Sequence, residues 1–583
     1  MKMQNRQLFG EGVRRSSGGK ARRYNLLAAR LIADLVKGLL GPLGLEKMFI
    51  DIMGETTVTK DGATFLRKID VEHPAAKLLI EASNAVDNAV GDGTTSVVVL
   101  AGALVEKAEE LLDMGIPPTI ISDGYLNALD MAIEILREIS VESINSDKMI
   151  MESLAGTCLA SKAFSHITEE MKIVRLIVNA ICQIANFSNS YVDVDDIKIE
   201  EKMGSISETE LINGIVIDKT IDNSSMPHIV ENARVLLLDI DIENEQTKAD
   251  AQISISVPSD LGRYLEYGTN NTFEKIQNVA DSGANVIFSR GGISPLAQNY
   301  FARKGIMTVR RVKENDLLWL EKATGARITR DLDRITSDDI GFAAEVCQKL
   351  VGDDKMVFVD GCKNPKSVTL LLRASSKVIL DEFHRAVLDC LYVLRDFVAM
   401  PRIVAGGGAA EAIISHLVKE RSYLISGKEQ IVIQKFAEAV EEIPLTIAIN
   451  AGMDRVNTMT RLREKVSSQY NVKNQNSIKR VQAHNSNYHS YGVNAIERKI
   501  DNMISKRVME PLMVKEQILN TAVEIITLLI RVDDVLIAKP VMDTHTHTHT
   551  HADGTSHSHR DGNKAHDHFD RLGKQQRPMH HYY

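Results

Sequence analysis

The hexapeptide Gly91-Asp92-Gly93-Thr94-Thr95-Ser96 stands directly before an apolar stretch with helical spacing. Its two glycines let the backbone approach a ligand closely. The three hydroxyl residues supply helix caps and hydrogen-bond donors. A helix starting here presents free N–H groups and the positive end of its dipole, a ready anion site. Asp92 beside that anion would repel a phosphate unless a cation lies between them. That points to Mg²⁺ held by a carboxylate and by phosphate oxygens. The plain alternative is a helix cap with a tight turn. The pattern GxxxxGK[ST] is absent, which excludes an ordinary Walker ATPase.

Other stretches offer weaker chemistry. Gly406-Gly407-Gly408 precedes a second helical stretch, Ala410–Glu420, and suits a clamp on another part of the same nucleotide, although glycine runs before helices are common. Lys60-Asp61-Gly62-Ala63-Thr64 follows a strand and reads first as a tight turn. Leu40-Gly41-Pro42-Leu43-Gly44 reads first as a helix stop. Asp389 interrupts the apolar helical run Ala386–Leu391. A buried charge is costly without a partner, so Asp389 is either exposed or a general base or ligand of a cation-bound water. Histidine alternates with threonine from Thr544 to His551. Such imidazoles can ligate Zn²⁺, Ni²⁺ or Cu²⁺; the simpler reading is a flexible tail.

Holding these residues requires a framework. Tyr24–Leu40, Ala75–Val90, Ser96–Met114 and Tyr125–Ile139 all carry the 3.6-residue period of amphipathic helices. Short strands are expected at Met48–Met53 and Glu55–Thr59. The middle of the chain reads as α/β, with strands at Ala233–Leu238, Ala284–Phe288 and Ile306–Arg311 and a helix at Ser294–Lys304. Lys355–Val359 and Ser367–Arg373 read as two more strands across an Asn-Pro turn. The helical pattern returns at Asp381 and runs to about Ile537. Three beads in a row and one helical domain split by an insertion both fit this order. The polar stretch Val466–Tyr491 reads as a surface loop, and the segment after Asp543 as low-complexity and disordered.

Composition narrows the class. The 583 residues suffice for several domains, and 44% apolar content supports a large core. Aromatics are 5%, with Trp319 the single tryptophan, which argues against a sugar or nucleic-acid surface. The net charge of −9 argues against binding a polyanion over the whole chain. Five scattered cysteines without a CxxC pair suit a reducing compartment. The sequence has no apolar run of about 18 residues, and the N-terminal stretch lacks the apolar core of a signal peptide. A cytoplasmic protein with no membrane or nucleic-acid partner is expected.

Taken together, these stretches resemble the group II chaperonins, the family of the archaeal thermosome and the eukaryotic cytosolic chaperonin. LGPLGLEKMF is similar to that family's LGPKGLDKML, and TKDGATF to TNDGATI. HPAAKLLIEAS, VGDGTTSVVVLAGALVEKAEELL, DIKIEEKMG, ATGARI, VGDDKMVFVDGCKNPKSVTLLLR, VAGGGAAE, NAGMD, VMEPLMVK and LLIRVDDVLIA follow the family pattern in order. The likeness runs from about Gly10 to Ala538 and is nearest in style to archaeal subunits.

The resemblance implies a multi-domain α+β chaperonin fold. A mostly helical equatorial domain would comprise 1–148 and 403–541, and a small intermediate domain 149–218 and 367–402. An inserted α/β apical domain would span 219–366, with a helical lid protrusion near Ile242–Asn278, and the His-rich tail would span 542–583. It also implies ATP and Mg²⁺ as cofactors, identical or homologous subunits in stacked rings, and unfolded proteins as clients. Asp92 would hold the metal, and Asp61 and Asp389 would orient or deprotonate the attacking water. Leu40, Gly41, Pro42, Gly62, Gly93, Thr94, Thr95, Ser96, Gly407 and Gly408 would line the phosphates and ribose. Asn450, Glu510 and Lys515 would lie by the nucleoside, and Lys162 would sense the γ-phosphate. Leu43, Lys60 and Ala163 depart from the family's Lys, Asn and Gly. Phe383 and His384 replace a small residue and a glutamate, and Ala374-Ser375 a glycine pair. These departures leave open a specialised, weakly hydrolysing structural subunit of a mixed ring.

Overall fold

The computed structural model describes residues 14–162, 169–243, 273–363, 365–469, 490–537, 546–550 and 556–560. Two units separate. One is Met1–Ala21 with Asp533–Tyr583, the other Arg22–Val532.

After the strand Arg14–Ser17, the first helices are α1 (Gly19–Lys37), α2 (Gly62–Lys68), α3 (Pro74–Val90), α4 (Thr94–Asp113) and α5 (Pro118–Ile139). Next come α6 (Lys148–Ala160), α7 (Glu170–Ile184), α8 (Pro295–Arg303), α9 (Glu314–Thr324) and α10 (Lys377–Ala399). The last are α11 (Ala409–Ser422), α12 (Lys428–Val440), α13 (Glu442–Asn450), α14 (Arg455–Gln469) and α15 (Leu512–Arg531).

Three apolar cores organise the larger unit. The first joins α3, α4 and α5 to α12 and α15, with Leu79, Leu100, Leu104, Tyr125, Phe436 and Ile526 fully buried. Residues more than 300 positions apart therefore share one core. α4 is apolar nearly all round because it lies inside this bundle. α1 behaves differently. Leu26, Ala29, Ala33 and Val36 face the core, while Tyr24, Leu27, Leu31 and Leu35 are exposed.

The second core, drawn from residues 215–362, surrounds a seven-stranded mixed sheet. Its order is Met307–Val309, Val286–Ser289, Ile229–Leu238, Gly341–Val351, Asp354–Asp360 and Ile215–Ile217, with Ile328–Thr329 pairing beside Ile229–Leu238. The first three strands are mutually parallel, as is Ile328–Thr329 beside Ile229–Leu238, and the remaining pairs are antiparallel. The third core packs α6, α7 and α10 on a small sheet of Ile197–Met203, Val368–Ala374 and Glu210–Ile212.

Several expectations change. Asp354–Asp360 and Val368–Ala374 lie in different sheets rather than forming one hairpin. The stretch from Asp381 to Ile537 is not wholly helical. Arg402–Ala405 pairs with both Val141–Glu142 and Met509–Pro511, and Tyr491–Asn494 pairs with Lys499–Asn502. The tail, expected to lack structure, contains two paired strands, Thr546–Thr550 and Ser556–Arg560. Their register sets His547 opposite His559 and His549 opposite His557. Most of the expected protrusion at Ile242–Asn278, most of the Val466–Tyr491 loop, and Ala163 lie outside the described residues. Among the described residues no helix is long and apolar enough to cross a membrane.

Candidate active site

Helix punctuation builds the site. α3 ends at Gly91 in the left-handed region, and α4 starts from Gly93, at φ 83°. The backbone angle disfavours a side chain on Gly93, and a Cβ there would come within 2.5 Å of Ile518 Cδ1 and force that side chain to move. The first N–H groups of α4 have no intrahelical partner. Gly408, at φ 73°, starts α11 in the same way and abuts Pro444. Glycine at both places sets two helix N-termini against one cavity of about 400 Å³.

Leu40, Gly41, Pro42, Asp92, Gly93, Thr94, Thr95, Ser96, Lys162, Gly407, Gly408, Glu510 and Lys515 line that cavity. Asp61, Gly62, Asp389 and Asn450 do not line it but touch residues that do, Thr94, Thr95, Lys162 and Leu40 respectively. Asp61 is the N-cap of α2, and its Oδ2 accepts the Thr64 N–H at 2.7 Å. The turn expected at Lys60–Thr64 is thus a helix start. The Thr94 hydroxyl donates to Asp61 Oδ1 at 2.9 Å. Lys162, at the end of α6, sets its Nζ 2.6 Å from Asp389 Oδ2 and 3.7 Å from Asp61 Oδ1. Residues 61, 162 and 389, from three distant parts of the sequence, therefore meet in a buried acid–lysine–acid set.

One ammonium faces three carboxylates. Burial works against the charged Lys162, but Asp389, Asp61 and Asp92 outweigh it and hold the lysine protonated. Burial also pushes Asp61 upward, yet Lys162 and the hydrogen bonds from Thr64 and Thr94 keep it below the usual range. Asp389 is the group that yields. Burial and the Asp61 charge raise it to about 8 against the pull of Lys162. Asp389 is 8% exposed, so it occupies the buried face of α10 and not the solvent face.

Asn450 serves the wall from behind. Its amide donates to the carbonyls of Lys37 and Leu40, both at 2.8 Å, and so holds the 40–42 loop at the end of α1. Lys515 bridges Glu510 and Glu411, each at 2.7 Å. The two carboxylates outweigh burial and keep the lysine protonated. Arg402–Ala405 carries the glycine loop, and its pairing sets Val404 opposite Glu510.

The sequence reading missed Glu411, the buried partner of Lys515. It missed Gly156 and Thr157 on α6, and Asn494, Met503 and Lys506, which close the far wall. Glu411 was findable as a carboxylate in an apolar helix, the same signal that marked Asp389. The others carry no local signature.

Two glycine-gated helix starts, a carboxylate at the phosphate end and a buried acid–lysine–acid set are what phosphoryl transfer to water requires. The split helical core with an inserted α/β block gives that chemistry a chaperonin setting. Residues 32–540 match the model of the TCP-1/cpn60 chaperonin family, and the chain belongs to it. It is 42% identical over 535 residues to thermosome subunit beta of Archaeoglobus fulgidus, covering 91% of this chain and 94% of that one. It is 41% identical over 534 residues to thermosome subunit alpha of Aeropyrum pernix, with coverage of 91% and 93%. For the thermosome subunit of Methanopyrus kandleri the figures are 39% over 535 residues, 91% and 94%. The protein is an ATP-hydrolysing group II chaperonin subunit, an ATP-dependent chaperone of ring assemblies.

Proposed function

We propose that the chain is one subunit of a double-ring cytoplasmic folding chamber that captures unfolded proteins and encloses them under a built-in lid. In this reading the first core is the equatorial domain, 1–148 with 403–541. The third core is the intermediate domain, 149–218 with 367–402, and the second is the apical domain, 219–366. Five free thiols suit a reducing compartment.

ATP occupies the cavity of about 400 Å³ with its phosphates at the start of α4. Asp92 fits a Mg²⁺ role. It lines the cavity, and its Oδ1 is oriented by the Gly93 N–H at 2.8 Å. One carboxylate plus phosphate oxygens is a usual Mg²⁺ shell, and the ion would neutralise phosphate charge when bound. The chain's own residues do the rest. Asp61, held ionised, orients the attacking water with Asp389. Lys162 exchanges its bond to Asp389 for the γ-phosphate; losing that cation makes Asp389 more basic, and in its ionised form it takes the water's proton. Lys162 lies two residues past the end of α6, which packs in the third core, so the exchange would couple nucleotide state to a domain hinge.

The convergence of Asp61 and Asp389 on Lys162, which lines the cavity, is the observation that carries this reading. Purified protein should hydrolyse ATP, and Asp389→Ala should abolish nearly all of it. Electron micrographs should show rings that close on adding ATP. Unchanged turnover in the variant would remove Asp389 from the mechanism. Turnover that appears only with partner subunits present would favour the weakly hydrolysing alternative, to which Lys60 in the cavity wall lends support.

A further inference from the structure

The folding cycle makes no use of two strands in the tail. Thr546–Thr550 pairs antiparallel with Ser556–Arg560, within the unit formed by the two chain ends. Alternate residues of a strand lie on opposite faces, and residues directly opposite one another across a pair share a face. The register therefore sorts these residues by type. His547, His549, His557 and His559 fall on one face. Thr546, Thr548, Thr550, Ser556, Ser558 and Arg560 fall on the other. Arg560, the one residue of the two strands with a permanent charge, is thus on the face away from the histidines.

Strand geometry sets the spacing of the histidine face. Opposite residues of an antiparallel pair have Cβ atoms about 5 Å apart. Residues i and i+2 along one strand stand about 7 Å apart. A patch of that size suits four imidazoles around one ion. Imidazole nitrogens are preferred ligands of Zn²⁺, Ni²⁺ and Cu²⁺, and four ligands complete the tetrahedral Zn²⁺ shell.

The pairing also calls for such a ligand. Neither strand carries an apolar residue with which to bury a face. A two-stranded ribbon on its own is marginal in water, and without a buried face its register is weakly specified. A slip of one residue would divide the histidines two and two between the faces. An ion held across the strands would fix the register that gathers all four. Elsewhere among the described residues no three His, Cys, Asp or Glu gather to hold a metal.

We propose that the histidine face of this ribbon binds one divalent cation of the Zn²⁺, Ni²⁺ and Cu²⁺ group, at a site independent of the nucleotide cavity and its Mg²⁺. Metal occupancy and strand pairing are then one equilibrium.

Calorimetric titration of the full, nucleotide-free chain with Zn²⁺ tests the assignment. Wild type should take up one ion at the ribbon ahead of any weaker sites, and Mg²⁺, which prefers oxygen ligands, should not compete. His557→Ser with His559→Ser should lose that uptake. His566→Ser with His568→Ser, changed outside the described strands, should keep it. The decisive variant preserves composition. Ser556→His, His557→Ser, Ser558→His and His559→Ser together retain the number of histidines but move two of them to the threonine face. This transposed chain should also lose the one-ion uptake. Zn²⁺ should slow amide hydrogen exchange across 546–550 and 556–560 in wild type and not in the transposed chain. Wild-type uptake should weaken as pH falls through about 6.5, where free imidazoles gain protons. Equal affinity in the transposed chain would mean that histidine-rich sequence binds the metal without regard to register, and would overturn the proposal. So would loss of uptake in His566→Ser with His568→Ser, or no uptake by wild type.

Discussion

Seven residues beyond Asp389 on α10, Asp396 shows how much a single buried carboxylate governs. It is 1% exposed. Its Oδ1 accepts from Arg395 at 2.9 and 2.7 Å, while Oδ2 is buried without a partner. Burial raises it to about 6 despite the pull of Arg395. The folded protein therefore binds a proton at Asp396 between about pH 4 and 6 while the unfolded chain does not, so stability from this group falls as pH rises through that window. The lost part amounts to about 3 kcal/mol at neutral pH, at about 1.4 kcal/mol per pKa unit. Asp396→Asn should remove that slope. Thermal unfolding should show wild type losing ground to the variant between pH 4 and 7, and parallel curves would contradict the assignment. Asp389 and Asp396 are both legible in sequence as charges inside an apolar helix. Their partners are not. Arg395 is adjacent, but Lys162 and Asp61 reach Asp389 only through the tertiary fold.

The element scale separates legible from illegible more sharply. α3 and α4 stand out in sequence because long apolar periods end at Gly91 and restart at Gly93. α2 does not, because it has only seven residues and its N-cap, Asp61, looks like half of a turn. Arg402–Ala405 is hidden for another reason: its partners sit near residues 141 and 510, and no local pattern announces pairing at such range. The same distance conceals the joint between the second and third cores. Lys198, on Ile197–Met203, donates to Asp316 Oδ1 of α9 at 2.6 Å and to the Val216 carbonyl at 2.7 Å. Nearby, Trp319 Nε1 donates to the Asp195 carbonyl at 2.7 Å. Both ions are 5% exposed. Lys198→Met would leave Asp316, and Glu200, whose Oε2 lies 3.2 Å from the Lys198 Nζ, without their cation, at a cost of about 3–5 kcal/mol. Hydrogen exchange should speed up in α9 and in Ile197–Met203 first. Adding Asp316→Leu should recover much of the protection, because the more deeply buried of the two orphaned carboxylates is then gone. Unchanged exchange in Lys198→Met would show that the joint is held by apolar contacts alone.

At the scale of the whole chain, the choice between three beads and a split domain could not be read from composition. It depends on which helices share a core, and the first core draws on both ends of the large unit. The second core is the opposite case. It is contiguous in sequence, and its two ends lie side by side, with Ile215 opposite Val359 and Ile217 opposite Val357 in one antiparallel pair. An insertion closed in this way carries its own core and needs no register from the host. Residues 214–363 expressed alone should therefore unfold in one cooperative thermal transition with the circular dichroism of a mixed α/β protein. Asp316, buried against Lys198 in the full chain, would face water in the fragment, so its lost partner costs little there, unlike in Lys198→Met. Trp319 reports the difference. Without the Asp195 carbonyl its fluorescence should shift toward the red relative to the full chain, while the cooperative transition persists. A fragment lacking that transition would mean that the second core draws its stability from the other two, and the insertion would then be an integral part of the helical frame.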